Sequence, residues 1–326
     1  MKVGINGIGR IGRNVYKILI KNQIDIPLIN DPHITPSNFQ HALEFDTVYY
    51  SNKIIVKKDQ NSITCGRITT FITNETDPAK IDWKSYNVDF VIEASGKYNE
   101  IEGAEKHSVS KVICCGPSKT IPMFIYGVNH IKIQPNMNII SGASCTTNCL
   151  APIAKLINQK YGIKNSFATT IHAVTKSQST VDSAEQGRSC FNISPSSTGA
   201  SKAIISILPE LEGKISVSAF RVPVLNVSVI DFVIETEKSI GSIEEICKLI
   251  TDKESSFDDV IIATHNGVVS SDFTESVYSC ILDRNESILL NDKFVKLVCW
   301  YDNEHGYACR IVDLLMYFYS LNLEKN

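Results

Sequence analysis

The chain has 326 residues, enough for about two domains at roughly 100 to 200 residues each. Hydrophobic residues make up 43% and charged residues 21%, which excludes disordered, collagenous and coiled-coil classes and leaves an ordinary globular protein. The 32 basic and 35 acidic residues sum to -3, with no block of five like charges, so charge advertises neither a nucleic-acid nor a membrane surface. The N-terminus meets Gly4, Gly7 and Arg10 too soon for the apolar core of a signal peptide, and no apolar run approaches the length of a membrane span. Ten cysteines are scattered among apolar neighbours without a C-x-x-C pair. Buried free thiols in a reducing, cytoplasmic compartment are expected, and no metal site.

Residues 2–5 form a short apolar run ending in Asn6, followed by Gly7-Ile8-Gly9-Arg10-Ile11-Gly12 and by residues 13–21 with apolar Val15, Ile18 and Leu19. The pattern predicts strand, glycine turn, helix. There Gly7 allows the tight turn, Gly9 lets backbone approach a pyrophosphate, and Gly12 lets helix pack on strand. The amides of the helix N-terminus would face the phosphates. A second strand, 26–29, ends in Asn30-Asp31, where a carboxylate can accept from an adenosine ribose and repel a 2'-phosphate. A turn that merely needs glycines is the plainer alternative. Further strands are predicted at 51–57, 68–72, 90–93, 112–115, 123–128 and 138–141, and helices at 37–44 and 100–108. This alternation implies a parallel sheet. The alternating runs 166–173, 215–221, 225–235 and 293–301 predict a different sheet, antiparallel or mixed, half exposed on one face. Residues 308–321 carry apolar side chains at helical spacing and should dock as a closing helix.

Ser141-Gly142-Ala143-Ser144-Cys145-Thr146-Thr147-Asn148-Cys149-Leu150 leads from a strand end into residues 150–161, which have helical spacing. Cys145 therefore stands near a helix N-terminus, where open amides and the dipole favour an anion. An easily ionised thiol, nucleophilic near neutral pH, is expected. Cys149, one turn later, reads as a small buried hydrophobe. His172, among apolar residues, reads by itself as a structural histidine.

The decapeptide around Cys145 resembles the catalytic segment of glyceraldehyde-3-phosphate dehydrogenases. So do the opening glycine segment, Ile29-Asn30-Asp31, Pro122-Met123-Phe124 with Gly127-Val128-Asn129-His130, Thr169-Thr170-Ile171-His172-Ala173, Pro195-Ser196-Ser197-Thr198-Gly199-Ala200, Ala219-Phe220-Arg221-Val222-Pro223 and Trp300-Tyr301-Asp302-Asn303-Glu304. The resemblance covers essentially the full length in one order. It implies an α/β protein: a Rossmann-type doubly wound parallel sheet at 1–144 that binds NAD, completed by a C-terminal helix at 304–326, and an α+β catalytic domain at 145–303. By resemblance, Cys145 would attack an aldehyde to give a thiohemiacetal and then a thioester, and His172 would pair with it and act as base. Thr175 and Arg221 would hold the phosphate of glyceraldehyde 3-phosphate, while Ser144, Thr146, Thr198 and Gly199 would hold inorganic phosphate. For Thr198-Gly199 a plain helix cap is the alternative. Asn6, Gly7, Gly9, Arg10, Ile11, Asp31, Ser95, Gly96 and Asn303 match the family's dinucleotide contacts.

The chain also departs from that family's pattern. Lys176 and Ser177 follow Thr175 where an acidic residue is usual at the second position, and Lys176 would either lend charge to the phosphate or lie in solvent. The loop from Val181-Asp182 to Asn192-Ile193 is shorter, and Ser183-Ala184 replaces a Leu-Pro pair associated with NAD preference. Cys115 replaces a serine near the nicotinamide region, and His305 replaces a tryptophan. The resemblance implies a homotetramer, and the short loop leaves a dimer open. Erythrose-4-phosphate dehydrogenase, whose thioester is mainly hydrolysed, and a non-catalytic binding protein on the same fold are the alternatives.

Overall fold

A computed structural model describes residues 1–175, 178–184, 187–252, 257, 259–264 and 267–323. The chain divides into two compact units, Met1–Ser144 with Tyr307–Asn326, and Cys145–Gly306. No described helix is long and apolar enough to cross a membrane.

The first unit runs β1 (Lys2–Asn6), α1 (Arg10–Lys21), β2 (Asp25–Asn30), α2 (Pro36–Glu44), β3 (Lys57–Lys58), β4 (Ser62–Cys65), β5 (Ile68–Thr73), β6 (Phe90–Glu93), α3 (Ile101–Ala104), β7 (Lys111–Cys114) and β8 (Ile139–Ser141). Its sheet has the order β3-β4-β5-β2-β1-β6-β7-β8. From β5 to β8 all neighbours are parallel, and β3 and β4 add an antiparallel edge. The parallel part is the doubly wound order, which reverses between β1 and β6; ligands enter such sheets at the carboxyl ends of those two strands. Capping fixes α2: the Thr35 hydroxyl accepts from the Asn38 amide at 3.3 Å, the Asn38 side chain accepts from the Thr35 amide at 2.6 Å, and Pro36 opens the helix.

Three expected elements differ. Over 51–57 the alternation is real, since Asn52, Ile54 and Val56 are buried, but only Lys57 joins a strand. Alternating burial arises there without a partner ladder. The helix expected over 100–108 is the single turn α3, where Gly103 packs against Tyr98 and the chain passes into turns. Residues 123–128 contribute one bridge, Met123 to Ser141, before a turn with Gly127 at φ +80.

The second unit runs α4 (Cys145–Tyr161), β9 (Ile163–His172), β10 (Ser194–Ser196), α5 (Ala200–Ile207), β11 (Ile215–Arg221), β12 (Ser228–Thr236), α6 (Ile243–Thr251), β13 (Ile261–Thr264), β14 (Cys280–Asn291) and β15 (Phe294–Tyr301). Its mixed sheet has the order β10-β11-β9-β12-β15-β14-β13. The pairs β9–β11 and β13–β14 are parallel and the rest antiparallel. One face buries Ala168, Thr170, Ile230, Phe232, Leu297 and Cys299, with α4, α5 and α6 packing on this sheet. The other face leaves Phe167, Ile171 and Phe220 exposed. Strand β12 starts later than the expected 225, because Val227 turns through φ +63.

Helix α7 (His305–Leu323) closes the chain, and from Tyr307 onward it belongs to the first unit. It buries Ile311, Leu314, Leu315 and Phe318. Phe318 meets the Phe90 ring edge-on at 5.7 Å, and the Lys111 ammonium sits 4.9 Å from the Phe318 ring centroid.

Candidate active site

In the second unit the sulfur of Cys145, the first residue of α4, lies 3.4 Å from Nε2 of His172, the last residue of β9. Parallel pairing sets Arg221 directly beside His172, and its guanidinium Nη1 touches His172 Nδ1 while donating to the Ala173 carbonyl at 3.1 Å. Nδ1 also lies 2.7 Å from that carbonyl. A guanidinium only donates and a carbonyl only accepts, so Nδ1 serves one of them at a time. With its proton directed at Ala173, the lone pair of Nε2 faces the thiol.

Electrostatics correct one expectation. Burial pushes the Cys145 thiol up, and the opposing Arg221 charge and Thr146 amide do not overcome it. The helix terminus is therefore outweighed by desolvation, and the thiol is not preset as an anion. Burial, helped by Arg221, pushes His172 down to about 4. The pair rests as thiol and neutral imidazole, a nucleophile waiting on a base.

The sequence reading gave Tyr301 no role. Its buried hydroxyl lies 3.1 Å from Thr146 Oγ1 and 2.8 Å from Thr170 Oγ1, with its ring edge-on to His172 at 6.1 Å. One phenol thus ties the first turn of α4 to the end of β9. Burial raises its pKa, which keeps the bridging proton in place. The available signal was an aromatic with a polar tip closing an alternating strand whose inward residues are otherwise apolar.

Thr175 is half-buried three residues past His172, with its amide donating to Gln178 Oε1. Thr198 bonds within its own turn, its hydroxyl accepting from the Ala200 amide at 3.1 Å, and Gly199 is exposed at the start of α5. Asn303 is buried and accepts from the Ser228 hydroxyl at 2.9 Å. Lys176 and Ser177 lie outside the described residues.

In the first unit, half-exposed Ser144 follows Ala143, which turns through φ +54 and is held by the Tyr307 hydroxyl on its carbonyl at 2.8 Å. After β1 the glycines divide by purpose. Gly7 has φ +90, and a Cβ there would strike Ser95, while one at Gly12 would strike the Gly7 carbonyl. At Gly9 and Gly96 a Cβ would meet no atom within 4 Å. The protein itself does not require the bare backbone at Gly9, and the open space suits a bound diphosphate. Asp31, just past β2, accepts from the Ile8 amide at 2.9 Å and the His33 amide at 3.0 Å. Asn6 ends β1, and Ile11 is half-buried in the first turn of α1. The Arg10 guanidinium pairs with Asp46 at 2.9 Å. Burial works to raise the Asp46 carboxyl, but the Tyr49 and Val48 amides and Arg10 together hold it low. Cys115 follows β7, its amide bonded to the Glu93 carbonyl at 2.8 Å, and burial pushes its thiol up. His305 is buried in the first turn of α7.

A family model described as glyceraldehyde 3-phosphate dehydrogenase, NAD binding domain, matches residues 1–101, and one described as its C-terminal domain matches residues 144–303. The chain belongs to the glyceraldehyde-3-phosphate dehydrogenase family. Among its relatives, the cytosolic glyceraldehyde-3-phosphate dehydrogenase of Pisum sativum is 40% identical, covering 97% of both chains. Glyceraldehyde-3-phosphate dehydrogenase 1 of Saccharomyces cerevisiae is 40% identical over 97% of this chain and 98% of its own. The cytosolic protein of Gracilaria gracilis is 44% identical over 98% of each. Between Val181 and Ile193, Ser183 bridges to Gly187, Arg188 pairs with Asp182 at 2.9 Å, and Val181, Phe191 and Ile193 are exposed.

Proposed function

We propose that the protein oxidises D-glyceraldehyde 3-phosphate with NAD and inorganic phosphate to 1,3-bisphosphoglycerate, the phosphorylating dehydrogenase step of glycolysis and gluconeogenesis. The observation that carries this reading is the thiol of Cys145 set 3.4 Å from a neutral His172, in a chain of this family. Cys145 Sγ attacks the aldehyde carbon as its proton passes to Nε2, and Nε2 hands that proton on to the former carbonyl oxygen, which completes a thiohemiacetal. His172 then removes the hydroxyl proton as hydride departs, leaving a thioester. Bound NAD supplies the hydride acceptor. A phosphate oxygen attacks the thioester carbon, the carbon–sulfur bond breaks, and the sulfur takes back a proton.

In this reading Asn6, Gly7, Gly9, Arg10, Ile11, Asp31, Ser95, Gly96 and Asn303 hold NAD. Thr175 and Arg221 hold the substrate phosphate, and Ser144, Thr146, Thr198 and Gly199 hold the attacking phosphate. The assembly is a homotetramer, supported by the open apolar sheet face around Phe167, Ile171 and Phe220 and by the exposed Val181, Phe191 and Ile193. A cytosolic location is supported by relatives named as cytosolic. The test is spectrophotometric: NAD reduction with glyceraldehyde 3-phosphate, with and without inorganic phosphate. Phosphate-dependent NADH formation is expected. Turnover unaffected by phosphate would replace this reading by a hydrolytic one, and NAD binding without reduction by any phosphorylated aldehyde would remove catalysis altogether.

A further inference from the structure

Glu93 closes the apolar strand β6, and its side chain has no solvent exposure. The backbone turns that follow β1 and β6 press against each other here, since a Cβ at Gly7 would strike Ser95. One carboxylate oxygen of Glu93 accepts from Asn6 Nδ2 at 2.6 Å and lies 2.9 Å from His107 Nε2. The other accepts from the Ser95 amide at 2.8 Å and from the Ser95 hydroxyl.

The polarity of this chain of bonds is fixed at both ends. An indole N–H can only donate, and Trp83 Nε1 donates to His107 Nδ1 at 3.1 Å. Nδ1 therefore carries no proton, and Nε2 directs its own at Glu93. At the other end Asn30 Nδ2 donates to Asn6 Oδ1 at 2.8 Å, which turns the Asn6 NH2 toward Glu93. Four donors converge on one buried carboxylate, and hydrogen bonds to charged groups are among the stronger ones in proteins.

We propose that Glu93 is a positioning residue for the dinucleotide site, and that His107 acts through it: the carboxylate staples the Asn6–Gly7 turn to the Ser95–Gly96 turn before the cofactor arrives. This rests on the reading of the first unit as an NAD site. Preorganisation of this kind is felt as affinity, because turns that are already ordered lose less freedom on binding. The His107 side chain has no exposed surface, so it does not touch a bound cofactor itself, and its hydrogen bond to Glu93 is its direct link to the two turns.

Calorimetric titration of the full-length protein with NAD, beside thermal midpoints, tests this on wild type, E93Q, H107F and H107Q. In E93Q an amide NH2 faces other donors, and the dissociation constant should rise about tenfold or more. H107F removes the donor and should raise it by about threefold or more. A glutamine at 107 can still accept from Trp83 and donate to Glu93, so H107Q should stay within about twofold of wild type. A purely structural role would shift midpoints without this ordering of affinities. Cys145 alkylation without NAD should be unchanged in all variants, which reports a folded second unit. Should E93Q fail to fold, the two His107 variants carry the comparison. Wild type failing to bind NAD would remove the NAD reading itself. Wild type that binds NAD, with the folded variants all within about twofold of it, would overturn the staple alone, as would equal losses in H107Q and H107F.

Discussion

His172 illustrates how one residue reports on its surroundings. It takes up a proton near pH 6.5 when exposed and only at about 4 when folded, through burial and the neighbouring Arg221. Between those values the unfolded chain binds the proton and the folded chain does not. Its stabilising contribution is therefore full above about pH 6.5 and is lost as pH falls toward about 4, an effect of about 3 kcal/mol. His172→Gln should flatten that part of the profile of melting temperature against pH; an unchanged profile would mean the imidazole is not desolvated. Arg221 lowers both partners, so Arg221→Leu should raise the thiol further and slow iodoacetamide alkylation of Cys145 several-fold at neutral pH. The same variant should bring the histidine back toward its ordinary value, visible in its imidazole NMR titration. Faster alkylation would contradict the electrostatics described here.

Among the elements, the glycine turn makes the sharpest contrast. Gly9→Ala meets no protein atom, so melting should barely move while NAD affinity falls by about tenfold or more. Gly12→Ala drives a methyl into the Gly7 carbonyl and should cost about 2 kcal/mol or more in stability. Equal stability loss in both would show that Gly9 is structural too. Tyr301→Phe cuts the link from α4 to β9 and should lower kcat by about tenfold. It should also shift the pH profile of Cys145 alkylation while leaving NAD affinity intact; loss of affinity alone would place Tyr301 elsewhere in function. These elements also mark what a sequence can yield. The turn after β1, the start of α4 and strands β9, β11 and β15 were legible because glycine spacing and alternation are local. Strands β13 and β14 and helix α6 were missed, although β14 forms a hairpin with β15 and Ser242 caps α6. The Cys145–His172 pair was legible through motif order, whereas Tyr301 and Glu93 were not, since a hydrogen-bond partner more than a hundred residues away, or fourteen residues on across a strand, leaves no local pattern.

At the scale of the whole molecule, the second sheet offers one side to helices and leaves the other open. Phe167 is 68% exposed on that open side. Phe167→Asp combined with Phe220→Asp should dissociate the proposed assembly, read by analytical ultracentrifugation, with each subunit's alkylation of Cys145 retained. An unchanged sedimentation coefficient would mean that subunits meet through some other surface. The last helix carries a different consequence. Phe318 and its neighbours cover a sheet built from residues 2–141, while residues 145–306 belong to the other unit. A ribosome therefore releases the sheet long before its cover, and the nascent nucleotide half must wait, with an apolar flank bare to chaperones, until the other unit and then this helix have been made.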